Sequence, residues 1–127
     1  MNKVIICGTD MHDNSLVCRV AVGKEDAKTK RYGNTDSGRK RLFGDLKGMS
    51  MKHGGGRIVV AYEASTHGFC LYDDCRDVGI ECYILAPTKM RKSKKDQKKK
   101  TDESDAQLIL ETIKGHILAG NELPSIW

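Results

Sequence analysis

No stretch of this chain approaches the run of roughly 18 apolar residues that a membrane helix needs. The apolar part of its opening, MNKVIICGTD, is also too short for a secretory signal. No membrane partner is expected, and the expected location is cytoplasmic. The five cysteines, Cys7, Cys18, Cys70, Cys75 and Cys82, are odd in number, and no two of them form the short CxxC knuckle of a structural zinc site. Most lie in apolar segments, where a reduced thiol acts as a small hydrophobe. There is no internal repeat.

What is present is the composition of a folded domain. Hydrophobic residues make up 39% and charged residues 31% of 127 positions, enough for one core and too few residues for two. Residues 1–127 are therefore expected to be a single domain with a single site. The net charge of +5 is unevenly spread. Between Pro87 and Lys100 lie Lys89, Arg91, Lys92, Lys94, Lys95, Lys98, Lys99 and Lys100 against Asp96 alone, so the rest of the chain is slightly acidic. Such a segment, 87–100, attracts phosphates. It has no interleaved aromatics to stack on bases, and its plain alternative is a solvated loop.

Val4–Cys7 is short, apolar and β-branched, which predicts a buried strand ending near Asp10. Leu16, Cys18, Val20 and Val22 alternate at period two, predicting an antiparallel neighbour across a turn at His12–Ser15. The more polar Lys28–Thr35 is expected to be a third strand. Ser37 is positioned to cap a helix that runs to about Met51 with Leu42, Phe43, Leu46 and Met49 on one face, ended by Gly54, Gly55 and Gly56. IVVAY then forms a strand before Glu63, Ser65 or Thr66 caps a helix over about His67–Val78, and Ile80–Leu85 reads as a strand. In the last helix Ala106, Ile109, Leu110, Ile113 and Ile117 share one apolar face. Tyr62 and Tyr72 are expected in the core.

Two strands thus end in acids, Asp10 and Glu63, at the edge where sites form in α/β sheets. Asp102 and Asp105 lie at i and i+3 on the first turn of the last helix, on one face. Four gathered carboxylates need a cation, and oxygen ligands favour magnesium or manganese. A metal pair in such a site can activate an attacking oxygen and stabilise a leaving one in phosphoryl transfer. Taken singly, each acid has an ordinary explanation: Asp102 as an N-cap, Asp105 as a first-turn acid, Asp10 as a turn residue and Glu63 as a solvated side chain. His12 and His67 each follow an acid-bearing strand and could orient water or phosphate, although a loop histidine is more often incidental. Ser65 and Thr66 have no recognisable base beside them and read as caps.

Lys100, Thr101, Asp102, Asp105 and Ala106 spell Lys-Thr-Asp-x-x-Asp-Ala, preceded by ILAPTKMRK. With Asp10 and His12, and with Glu63, Ala64, Gly68 and Phe69, this resembles the N-terminal domain of the Asp-Glu-Asp-Asp class of insertion-sequence transposases, which includes the Piv-type DNA invertases. The resemblance spans about residues 3–125. It implies an α/β fold of the RNase H and Holliday-junction-resolvase type, a mixed five-stranded sheet with three antiparallel N-terminal strands and flanking helices. It further implies that Asp10, Glu63, Asp102 and Asp105 bind magnesium or manganese and catalyse DNA strand cleavage and joining. The class also works with a structured guide RNA, and a homo-oligomer is expected of the full-length protein. Family members continue into a C-terminal domain bearing a serine nucleophile, to which nothing in these 127 residues is similar. Two other readings stay open: a DNA- or RNA-binding module without turnover that uses the lysine segment, and an actin-like or sugar-kinase half. The second lacks the required phosphate loops, since the turn at Gly8, Thr9 and Asp10 matches poorly.

Overall fold

The computed structural model describes residues 3–64, 70–86 and 102–121, with the backbone alone at 102 and 103. The chain forms β1 (Ile5–Met11), β2 (Ser15–Val22), β3 (Lys28–Gly33), α1 (Asp36–Lys52), β4 (Ile58–Glu63), α2 (Cys70–Asp77), β5 (Glu81–Leu85) and α3 (Asp102–Ala119). The basic segment, together with Ser65, Thr66 and His67, lies outside the described residues.

The five strands make one sheet in the order β3-β2-β1-β4-β5. The first three form an antiparallel meander, because the β1–β2 turn is tight: the His12 N–H donates to the Ser15 carbonyl at 2.8 Å. The other two run parallel to β1, since a helix returns the chain across the sheet each time. β1 extends past its apolar run, through Asp10 to Met11, because its pairing with β2 continues to Leu16. The first helix begins earlier than Ser37 suggested. Thr35 is its cap, extended at φ −136° and accepting from the Gly38 N–H at 3.0 Å, so Asp36 and Ser37 fall inside the first turn. The helix ends as expected, with Gly55 at φ +76° donating its N–H to the Ser50 carbonyl.

Each face of the sheet has its own core. On one, Ile5, Cys7, Leu16, Cys18, Val60 and Tyr62 pack with Leu42, Phe43 and Leu46 of α1 and with Leu71 and Cys75 of α2. On the other, Ile6, Ala21, Val59, Ala61 and Leu85 pack with Ile109, Leu110 and Ile113 of α3. Tyr62 is wholly buried, as its apolar strand predicts, while Tyr72 is partly buried with the Arg76 guanidinium over its ring.

The seating of α3 is decided at Gly8. A Cβ there would stand 2.4 Å from the Leu110 nitrogen and 2.6 Å from the Ala106 carbonyl oxygen, so only glycine lets the helix backbone rest on β1. Ile117, at the other end of α3, packs in the same cluster as Val4 at the start of β1. The helix therefore runs antiparallel to β1, and its first turn lies toward the ends of β1 and β4.

Candidate metal centre

β1 and β4 lie side by side in parallel with Thr9 opposite Tyr62, so the next residues, Asp10 and Glu63, are strand-edge neighbours. At the paired positions just before them the two backbones have the spacing of adjacent strands, about 5 Å. Strand alternation sets which way they face. Ile6 and Gly8 of β1, and Val59 and Ala61 of β4, meet α3. Asp10 and Glu63, two residues farther on, belong to that same face. Asp105 precedes the Ala106 that touches Gly8 and is only 7% exposed. Asp102 begins α3 one turn earlier, and its side chain lies outside the described residues.

Asp10 is well covered, its side chain 13% exposed, and the His12 Nε2 stands 2.9 Å from its Oδ2. His12 is itself held by the hairpin turn, since its carbonyl accepts from the Asn34 Nδ2 at 2.8 Å. The sequence left His12 between orienting water or phosphate and being an incidental loop residue. Only the tight turn after β1 brings its ring back onto the acid.

Among the described residues, no group of three or more His, Cys, Asp or Glu side chains is placed to hold a metal ion. The topology brings Asp10, Glu63 and the start of α3 to one sheet edge. The thiols offer no alternative. Cys7, Cys18 and Cys75 are buried in the α1/α2 core, and Cys70 is exposed. Contact with the neighbouring Cys82 thiol, then burial, pushes the Cys75 thiol far above its ordinary range.

One residue that the sequence reading missed anchors α3 from the side. Arg19 of β2 donates through Nε to Gln107 Oε1 at 2.8 Å, and through Nη1 to Thr29 Oγ1 at 2.8 Å, tying α3 to β2 and β3. The available signal was a lone cation inside the otherwise apolar LVCRVAV.

Comparison with known proteins agrees with this architecture. T. thermophilus RuvC in complex with Holliday junction substrate superposes with a TM-score of 0.54 at 10% identity, covering 94% of this chain and 99% of that one. At that identity the likeness is one of fold, and the expected RNase H-like α/β sheet is the fold found. The large terminase nuclease of thermophilic phage G20c is matched at 15% identity with a TM-score of 0.44, over 98% of this chain and 74% of that one. No curated protein matches at a significant level. The DEDD_Tnp_IS110 family model, described as Transposase, matches residues 7–125. The chain belongs to that transposase family.

Proposed function

We propose that this chain is a catalytic domain of DNA transposition in which Asp10, Glu63, Asp102 and Asp105 hold magnesium or manganese. The observation that supports it most is that Asp10 and Glu63 each follow the last paired residues, Thr9 and Tyr62, of two adjacent parallel strands, on the face where α3 starts. The donor set fits a hard cation: all four groups are carboxylates, and the low exposure of Asp10 and Asp105 limits the screening of their charge by water. When bound, such ions supply Lewis acidity to the attacking and leaving oxygens of a phosphodiester. The chain's own residues do the positioning. His12 fixes the Asp10 carboxylate through its 2.9 Å contact, and Arg19 and Gln107 hold α3, and with it Asp105, against the sheet.

Titration calorimetry with manganese on the 127-residue chain tests this directly. Asp10→Asn and Asp105→Asn should each weaken binding more than about 100-fold, beyond the cost typical of an outer-shell change. Nicking of supercoiled plasmid DNA should be lost in parallel. Unchanged manganese affinity in both variants would overturn the reading.

The eight cations of segment 87–100 support a second role, a nucleic-acid grip that serves DNA and could equally serve a structured guide RNA. Replacing Lys94, Lys95, Lys98 and Lys99 by glutamine should lower the slope of log affinity against log salt by up to about 3.6, at about 0.9 per phosphate released on duplex DNA. A slope that did not move would sink the lysine grip and leave the metal centre standing.

A further inference from the structure

The registers of the sheet place one more charged residue in line with the acids. Glu63 of β4 pairs with Leu85, Asp10 of β1 with Val17 of β2, and Val17 with Arg31 of β3. Leu85, Glu63, Asp10, Val17 and Arg31 therefore form a single row across all five strands. The face of Arg31 is settled by its neighbours. Tyr32 points to the α1 side, where its hydroxyl donates to Asp45 Oδ2 at 2.5 Å. Thr29 points to the α3 side, where Arg19 reaches it from beside Gln107. Arg31, one residue from Tyr32 and two from Thr29, shares the face of Asp10 and Glu63.

On that face α3 packs mainly against β1, β2 and β4. β3 is left at the edge, with Arg31 exposed, while Val17 between it and Asp10 is covered. Two strand spacings separate Arg31 from Asp10 in the row, roughly 10 Å. At about 3.4 Å of rise per nucleotide, that is the span of about three nucleotides along one strand of a duplex.

We infer that Arg31, in line with Asp10 at the exposed edge of this face, seats the DNA strand being acted on, its guanidinium holding a backbone phosphate about three nucleotides from the reacting one. The inference rests on the proposed metal centre, because that centre sets where the reacting phosphate lies. Arginine suits the task, since its planar fork pairs with phosphate oxygens. The seat differs from the lysine segment in being carried on a strand whose register with Asp10 is set, so it positions the DNA as well as attracting it.

The ordinary alternative is that edge-strand cations only discourage sheet-to-sheet pairing. Lys30 provides the control, because it is adjacent to Arg31 on the same edge strand but belongs to the Tyr32 face. Binding of the 127-residue chain to a fluorescein-labelled 30-base-pair duplex is measured without divalent metal, across a series of salt concentrations. Arg31→Gln is expected to raise Kd about 5- to 10-fold and lower the salt slope by about one, the release from a single phosphate. Lys30→Gln should leave Kd within twofold of the parent and the salt slope unchanged. Equal effects of the two variants, no effect of Arg31→Gln, or an effect confined to single-stranded RNA would each overturn the inference. Manganese calorimetry on Arg31→Gln separates the two proposals: affinity should equal the parent's, and a loss there would mean that Arg31 acts on the acids and not on DNA. Loss of the Arg31 seat alone leaves the Asp10→Asn result intact, whereas failure of the metal centre appears in Asp10→Asn alone.

Discussion

Under α1 and α2 the sheet is closed by a deep apolar layer in which Tyr62, Leu42, Leu46 and Leu71 are wholly buried. Under α3 the layer is thinner, and its helix rests backbone to backbone on Gly8. Asp10, Glu63 and the start of α3 lie on this second side. Side chains filling a thick layer can adjust to one another, while a helix seated on a bare glycine is held at one height above the strand. The first face is built to resist unfolding. The second is built to hold the start of α3 beside Asp10 and Glu63, so small displacements there should matter more to chemistry than to stability.

Truncating the thick layer is expected to have the largest effect on stability. Leu46→Ala should cost about 2–5 kcal/mol in urea unfolding, the range for emptying a wholly buried leucine site. Plasmid nicking by the molecules still folded should be nearly unchanged at low temperature. Parallel loss of both would mean that the two faces are not separable.

Gly8→Ala sharpens the same contrast from the other side. The added methyl meets backbone atoms of Leu110 and Ala106, so α3 must lift or slide. Overpacking of this kind costs about 1–3 kcal/mol. Nicking per folded molecule should nevertheless fall further than in Leu46→Ala. Full activity in a folded Gly8→Ala protein would show that the height of α3 does not control the site.

The smallest effect belongs to the far rim, where β4 and β5 begin. Arg57 grips Glu81 through Nε and Nη2, both at 2.7 Å, and this holds the Glu81 carboxyl below the usual carboxylate range. A depressed folded value means that the stabilisation is complete above the unfolded pKa of about 4.3 and is lost as pH falls through the lower folded value. Both side chains are 40% or more exposed, so solvent screening keeps the contribution below about 1 kcal/mol. Urea unfolding of the parent and Arg57→Met should differ by a constant small amount from pH 7 to about 5, and the difference should shrink as pH falls below about 4.3. A difference that did not shrink in acid would rule out the ion pair as its source.

Much of this architecture could be read before any coordinates. Short β-branched runs announced β1 and β4, alternation announced β2, and the spacing of Ala106, Ile109, Leu110 and Ile113 announced the buried face of α3. These patterns are local, because each element must hide its own apolar side chains whatever it packs against. The acids were equally visible as Asp10 and Glu63 at strand ends and as Asp102 and Asp105 in Lys-Thr-Asp-x-x-Asp-Ala. The start of α1 was misplaced by two residues because Thr35 and Ser37 are both competent caps, and the choice follows from where β3 releases the chain.

By itself, the sequence determined the identity and order of the elements and the transposase family, and it singled out the four carboxylates that the proposed metal centre uses. Only the tertiary structure decided that β4 lies against β1 with Thr9 opposite Tyr62, so that Asp10 and Glu63 follow side by side on the α3 face, and that Arg31 lies in line with Asp10. The reason is that periodicity says which residues of a strand share a face. It does not say which helix covers that face, or which residue of a strand distant in the chain comes to lie beside it.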